Sequence, residues 1–123
     1  MNSIIVCSLR KNADQPPVGY SLLRVDRRNP ILGNTHEMVK NNLVERNRVI
    51  SNFRKDLDID RKKNGKMWHE IEKVADRVAS GEKIALQCWC SPKPCHADII
   101  KSAVIFVLKQ RRHPIMGQVN LNI

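Results

Sequence analysis

The sequence predicts a small single-domain α/β fold with a Rossmann-like sheet and the element order β-β-α-α-β-α. Two observations carry the fold class. Short apolar, β-prone runs stand at Ser3–Leu9, Tyr20–Asp26 and Lys83–Cys90, and two stretches of helical periodicity separate the second run from the third. A third observation sets the scale: 123 residues, 41% hydrophobic and 28% charged, make one ordinary globular domain, with 113–123 as a tail.

Ser3–Leu9 is expected as a buried first strand, with Cys7 a packed core thiol. The segment 10–19 has loop composition (Asn12, Asp14, Pro16, Pro17, Gly19). After the second strand comes the turn RRNPILGNTH, residues 27–36. Asn34 with Glu37 three residues later fits a helix cap, so a long helix is expected over 37–57. Its apolar face carries Val39, Leu43, Arg46, Ile50, Phe53 and Leu57 at steps of three and four. Residues 58–66 read as a charged turn whose Arg61, Lys62, Lys63 and Lys66 form the densest basic cluster. A second helix over 67–79 ends at Gly81, where a C-terminal cap is expected. The third strand leads into a stiff proline-containing loop, and a helix buried on most sides follows from Cys95. The tail is left open between an edge strand and an oligomer contact.

Charge narrows the partner. Twenty-two Lys and Arg against 12 Asp and Glu give +10 and favour a polyanion or an anionic ligand. The longest apolar run, 103–108, is far too short for a membrane span, and no basic segment precedes an apolar one at the N-terminus. A cytoplasmic protein is therefore expected, in which four cysteines serve as thiols or ligands rather than disulfides.

Two stretches hold the candidate chemistry. Arg27, Arg28, Gly33 and Asn34 lie after a strand and before a helix, where backbone N–H groups and arginines favour a phosphate or carboxylate. Residues 84–100, IALQCWCSPKPCHADII, gather Cys88, Trp89, Cys90, Cys95, His96 and Asp98. Three readings compete there. Zinc takes these atom types, but the spacing is not the common double Cys-x-x-Cys, and neighbouring side chains at a helix start are expected to diverge. A reactive or ligand-contacting centre would use Cys95 at a helix N-terminus, His96 as base or donor and Asp98 to orient a partner. A purely structural turn is the third. The expected assignment is catalytic Cys95, His96 and Asp98, with Arg27, Arg28, Gly33, Asn34, Arg46, Cys88, Trp89 and Cys90 on the ligand. No cofactor is expected, and zinc on Cys88, Cys90, Cys95 and His96 is the alternative. If the second and third strands run parallel, the two stretches open on one edge of the sheet, where open α/β folds bind ligands.

The run Leu86, Cys88, Trp89, Cys90, Pro92, Cys95, His96, Asp98, Ile99 resembles the signature of an uncharacterised phage and bacterial family, domain of unknown function 4326. Upstream, Arg28, Leu32, Gly33 and Asn34 are similar to that family's arginine and Leu-Gly-Asn-Pro turn, with Thr35 in place of the proline. Arg46, Val49, Ile50, Phe53, Arg54 and Leu57 resemble its arginine-led helix. The resemblance spans about 25–104 and implies a compact α/β fold and a phage origin, but no reaction. The function expected is a nucleotide- or nucleic-acid-binding protein, whose enzymatic form would process a nucleotide or base. The alternatives are a non-enzymatic phage accessory protein that binds a host protein, DNA or a signalling nucleotide, and a structural zinc domain with a basic DNA-binding face.

Overall fold

The computed structural model describes residues 3–8, 17–88 and 93–112. Strands β1 (Ile4–Ser8), β2 (Ser21–Arg24) and β3 (Ile84–Cys88) alternate with helices α1 (Leu43–Lys62), α2 (Lys66–Ala79) and α3 (His96–Arg112) in the order β-β-α-α-β-α. The fold is a mixed α/β domain built on a three-stranded, all-parallel sheet of order β1-β3-β2.

The last strand in sequence is thus the middle one in space. Its residues 84–88 are buried at every position, as a strand paired on both sides and covered by helix should be. Ile4 and Ser21 both pair with Ile84, and Leu23 and Val6 both pair with Leu86. Beyond the ladder, Val25 N–H donates to Gln87 O at 2.9 Å, so β2 and β3 stay in step to the edge where the site lies. Helix α3 packs on β1 and β3, and all three helices pack on one another. One core results, with Ile4, Leu86, Leu57, Ile71, Ile100 and Val104 at its centre.

Two helix boundaries differ from expectation. Helix α1 starts nine residues after Asn34, not three. Asn42 is its cap, accepting the Glu45 N–H on its side chain at 2.9 Å. Asn34 instead folds its own turn, accepting the His36 N–H at 2.9 Å and donating Nδ2 to Val49 O at 3.0 Å. At the other end α1 runs through the segment read as a turn. Asp58 pairs with Arg61 and Lys62 one helical turn on, which supports the helix that far. The chain breaks only at Asn64, whose φ of 55° is left-handed.

The basic cluster is split by this geometry. The Arg61 guanidinium lies over the Trp68 and Phe106 rings at 5.8 and 5.9 Å and is half-buried, so it packs against the core edge while Lys62, Lys63 and Lys66 do not. Helix α2 ends as expected, with Gly81 at φ 102°. No helix among the described residues is long and apolar enough to cross a membrane. Residues 113–123, expected as a tail, and 9–16, most of the segment expected as a loop, lie outside the described residues.

Candidate functional site

The parallel pairing of β2 with β3 brings their carboxyl ends to one edge of the sheet. A cavity of about 380 Å³ opens there. From the β2 side it is lined by Asp26, Arg27, Arg28 and Asn34, from α1 by Arg46, and from the β3–α3 connection by Cys88, Cys95 and His96. The two stretches singled out in sequence therefore meet in one concave site.

The arginine turn is built around Asn29. Its Oδ1 accepts the N–H groups of Ile31 and Leu32 at 3.0 and 2.8 Å, and its Nδ2 donates to Arg24 O at 3.0 Å. Gly33 closes the turn by donating its N–H to Asn29 O. A Cβ there would lie 2.6 Å from Asn29 O and 2.7 Å from Asp26 O, so only glycine fits. Gly33 shapes the turn and does not line the cavity.

The two arginines are not equivalent. Arg27 pairs with Glu37 at 3.1 Å. Arg28 is exposed at the cavity and has no hydrogen-bond or ion-pair partner among the described residues. Asp26 is buried and held by Arg24 through two hydrogen bonds of 3.2 and 2.7 Å, which offsets its charge at the cavity wall. Arg46 is buried and joins three parts of the site. Its guanidinium donates to Pro94 O at 3.4 Å and to Asn41 Oδ1 at 3.0 Å while lining the cavity.

The Cys–His group forms the floor. Cys95 caps α3: its sulfur accepts the Ala97 N–H at 3.5 Å, and Asp98 Oδ2 accepts the Cys95 N–H at 3.0 Å. Asp98 is exposed, sits in the helix cap and is not among the residues that line the cavity. The Cys95 thiol donates to Cys88 Sγ at 2.8 Å, and His96 Nδ1 stands 3.4 Å from Cys95 Sγ. Adjacent Cys95 and His96 thus converge instead of diverging. His96 Nε2–H donates to Val25 O at 2.6 Å, which pins the ring across the edge of β2 and turns Nδ1 toward the sulfurs. Phe53 packs edge-on against the same ring at 5.0 Å. Trp89 and Cys90 lie outside the described residues.

Such an arrangement has two chemical uses. An imidazole nitrogen beside a thiol at a helix N-terminus can take its proton and raise a nucleophile. The same nitrogen and two sulfurs can ligate a soft metal.

His36 was missed from sequence. It lines the cavity, and its Nε2–H donates to Asp56 Oδ2 at 2.6 Å. The signal for it in the sequence is weak, a lone histidine in the segment between β2 and α1. Met38, Val49 and Ile50 add an apolar wall.

Residues 8–105 match the family model for a domain of unknown function, DUF4326. The chain belongs to that family. The DUF4326 region begins at the end of β1 and extends into α3, so it takes in both cavity-lining segments. No curated protein and no solved structure matches the chain.

Proposed function

We propose that this DUF4326 protein binds a nucleotide in the cavity at the carboxyl edge of the sheet. One observation carries the reading: a single cavity is bordered by an arginine with no partner among the described residues, an apolar wall and a polar Cys–His floor. Arg28 takes the phosphate, as a guanidinium that gives up no partner among the described residues to do so. The wall of Met38, Val49 and Ile50 takes the face of the base. The floor of Cys95 and His96 lies against the base or sugar. The volume is within the range of small-molecule pockets, about 300–1,000 Å³, and suits one nucleotide better than a nucleic-acid strand. The net charge of +10 favours any such anion in the encounter.

Calorimetric titration with nucleoside monophosphates, inorganic phosphate and a single-stranded oligonucleotide tests this. One of the monophosphates should bind more tightly than phosphate alone. Arg28→Ala should weaken it about tenfold or more, the loss of a charge-assisted hydrogen bond of ~1.5–3 kcal/mol. Lys62→Ala, outside the cavity, should leave it unchanged. Equal affinity in Arg28→Ala would refute the assignment of the phosphate. Oligonucleotide binding with a steep salt dependence and no mononucleotide binding would instead mark a nucleic-acid surface.

A further inference from the structure

We propose that Cys88, Cys95 and His96 hold a zinc ion at the floor of the cavity, with the fourth coordination position open to it. Their candidate ligand atoms all lie within 4.8 Å of one another, and all three residues are buried. They come from the end of β3 and the start of α3, two elements fixed by the core, so the group is held by the fold and not by a loop alone.

The donor chemistry selects the ion. Two sulfurs and an imidazole nitrogen suit zinc and do not suit magnesium or calcium, which take oxygen. The surroundings resemble those that support a metal. His96 gives its Nε2 proton to Val25 O at 2.6 Å, which commits Nδ1 to the sulfurs, and a metal-bound histidine commonly donates its second N–H in this way. The Ala97 N–H at 3.5 Å from Cys95 Sγ and the positive end of α3 both favour a thiolate there.

Loading has a definite geometry. Zn–S bonds of ~2.3 Å at a tetrahedral angle put two sulfurs roughly 3.8 Å apart. The Cys88 and Cys95 sulfurs, now 2.8 Å apart, must therefore part by roughly 1 Å. Binding releases the two thiol protons to solvent, and the ion takes both sulfur lone pairs and that of Nδ1. All three residues line the cavity, so a fourth position left without a protein ligand would face it. Three protein ligands with one open position is the pattern of zinc sites that meet a substrate, whereas structural sites are closed by four.

The proposal stands apart from nucleotide binding, since metal content is read without nucleotide. The full chain, purified without chelator and with its thiols kept reduced, should carry about one zinc by elemental analysis and native mass spectrometry. Cobalt in place of zinc should show the intense visible bands of a tetrahedral site together with a thiolate charge-transfer band. Cys95→Ser and His96→Ala should each lose at least nine-tenths of the bound metal. Cys7→Ser and Arg28→Ala should keep it. Should the cluster variants fail to fold, the cobalt spectrum of the unaltered protein decides. Zinc-free protein with no cobalt spectrum, or a Cys88–Cys95 disulfide under the same reducing conditions, would overturn the proposal. Loss of the ion in Cys90→Ser would overturn the open position by making Cys90 the fourth ligand.

Discussion

Replacing Gly33 by alanine tests whether the arginine turn is as tightly built as its contacts imply. The added methyl would lie 2.6 Å from Asn29 O and 2.7 Å from Asp26 O, 0.4 and 0.3 Å inside the 3.0 Å within which real Cβ atoms essentially never sit. Neither oxygen can easily yield. Asn29 O accepts the Gly33 N–H at 3.0 Å, and Asp26 O accepts the Asn29 N–H at 2.9 Å. Relief requires overpacking strain of ~1–3 kcal/mol, together with the loss of one of those hydrogen bonds, worth ~1 kcal/mol. The sum, roughly 2–4 kcal/mol, is a large part of the ~5–15 kcal/mol expected of such a chain. At about 4 °C per kcal/mol the melting temperature should fall by about 8–16 °C. Gly81→Ala is the comparison. Its φ is 102° but nothing lies within 4 Å, so only backbone strain of ~1 kcal/mol is expected. Thermal melts and urea titrations followed by circular dichroism read both variants. A Gly33→Ala protein melting within 2 °C of the unaltered chain would refute the close packing of this turn.

Two further outcomes follow from local features. Asn42→Ala should cost about 1 kcal/mol by removing the cap of α1, measured by urea denaturation, and an unchanged midpoint would contradict the placement of the helix start. Glu82 is held below the ordinary carboxylate range by its hydrogen bonds from Arg77. The native state therefore binds its proton less readily than the unfolded chain. Its contribution is full above the ordinary carboxylate pKa of about 4.3 and is lost as the pH falls through the lowered native value. Glu82→Gln should thus melt lower than the unaltered chain at pH 7, with the gap closing toward pH 3. A gap constant across that range would remove Arg77 as the cause.

The order of elements was readable because the apolar runs and their periods are strong and local. So was the meeting of the two site segments, once the second and third strands were taken as parallel. The start of α1 was not, because the sequence offers two equivalent caps: Asn34 with Glu37, and Asn42 with Glu45. Tertiary contacts choose between them, as Asn34 is drawn to Val49 O and Gly33 is locked over Asp26. The charge density of residues 58–62 concealed a helical turn whose ion pairs depend on that very charge. Convergence of Cys95 with His96 was equally hidden. Cys95 occupies the cap, ahead of the helical residues, and the Val25 carbonyl, 71 residues away just past the end of β2, draws the imidazole round.

The central place of β3 also governs how the chain reaches its fold. Strands β1 and β2 pair with β3 and not with each other. During synthesis both wait, unpaired, until residues 84–88 arrive. The sheet closes late and over long separations in sequence, which slows folding and leaves strand edges open to wrong partners in the interval. A chain cut short after α2 would hold two helices and two strands with no ladder to join. The stretch from β3 onward is the part that makes the earlier elements into one structure.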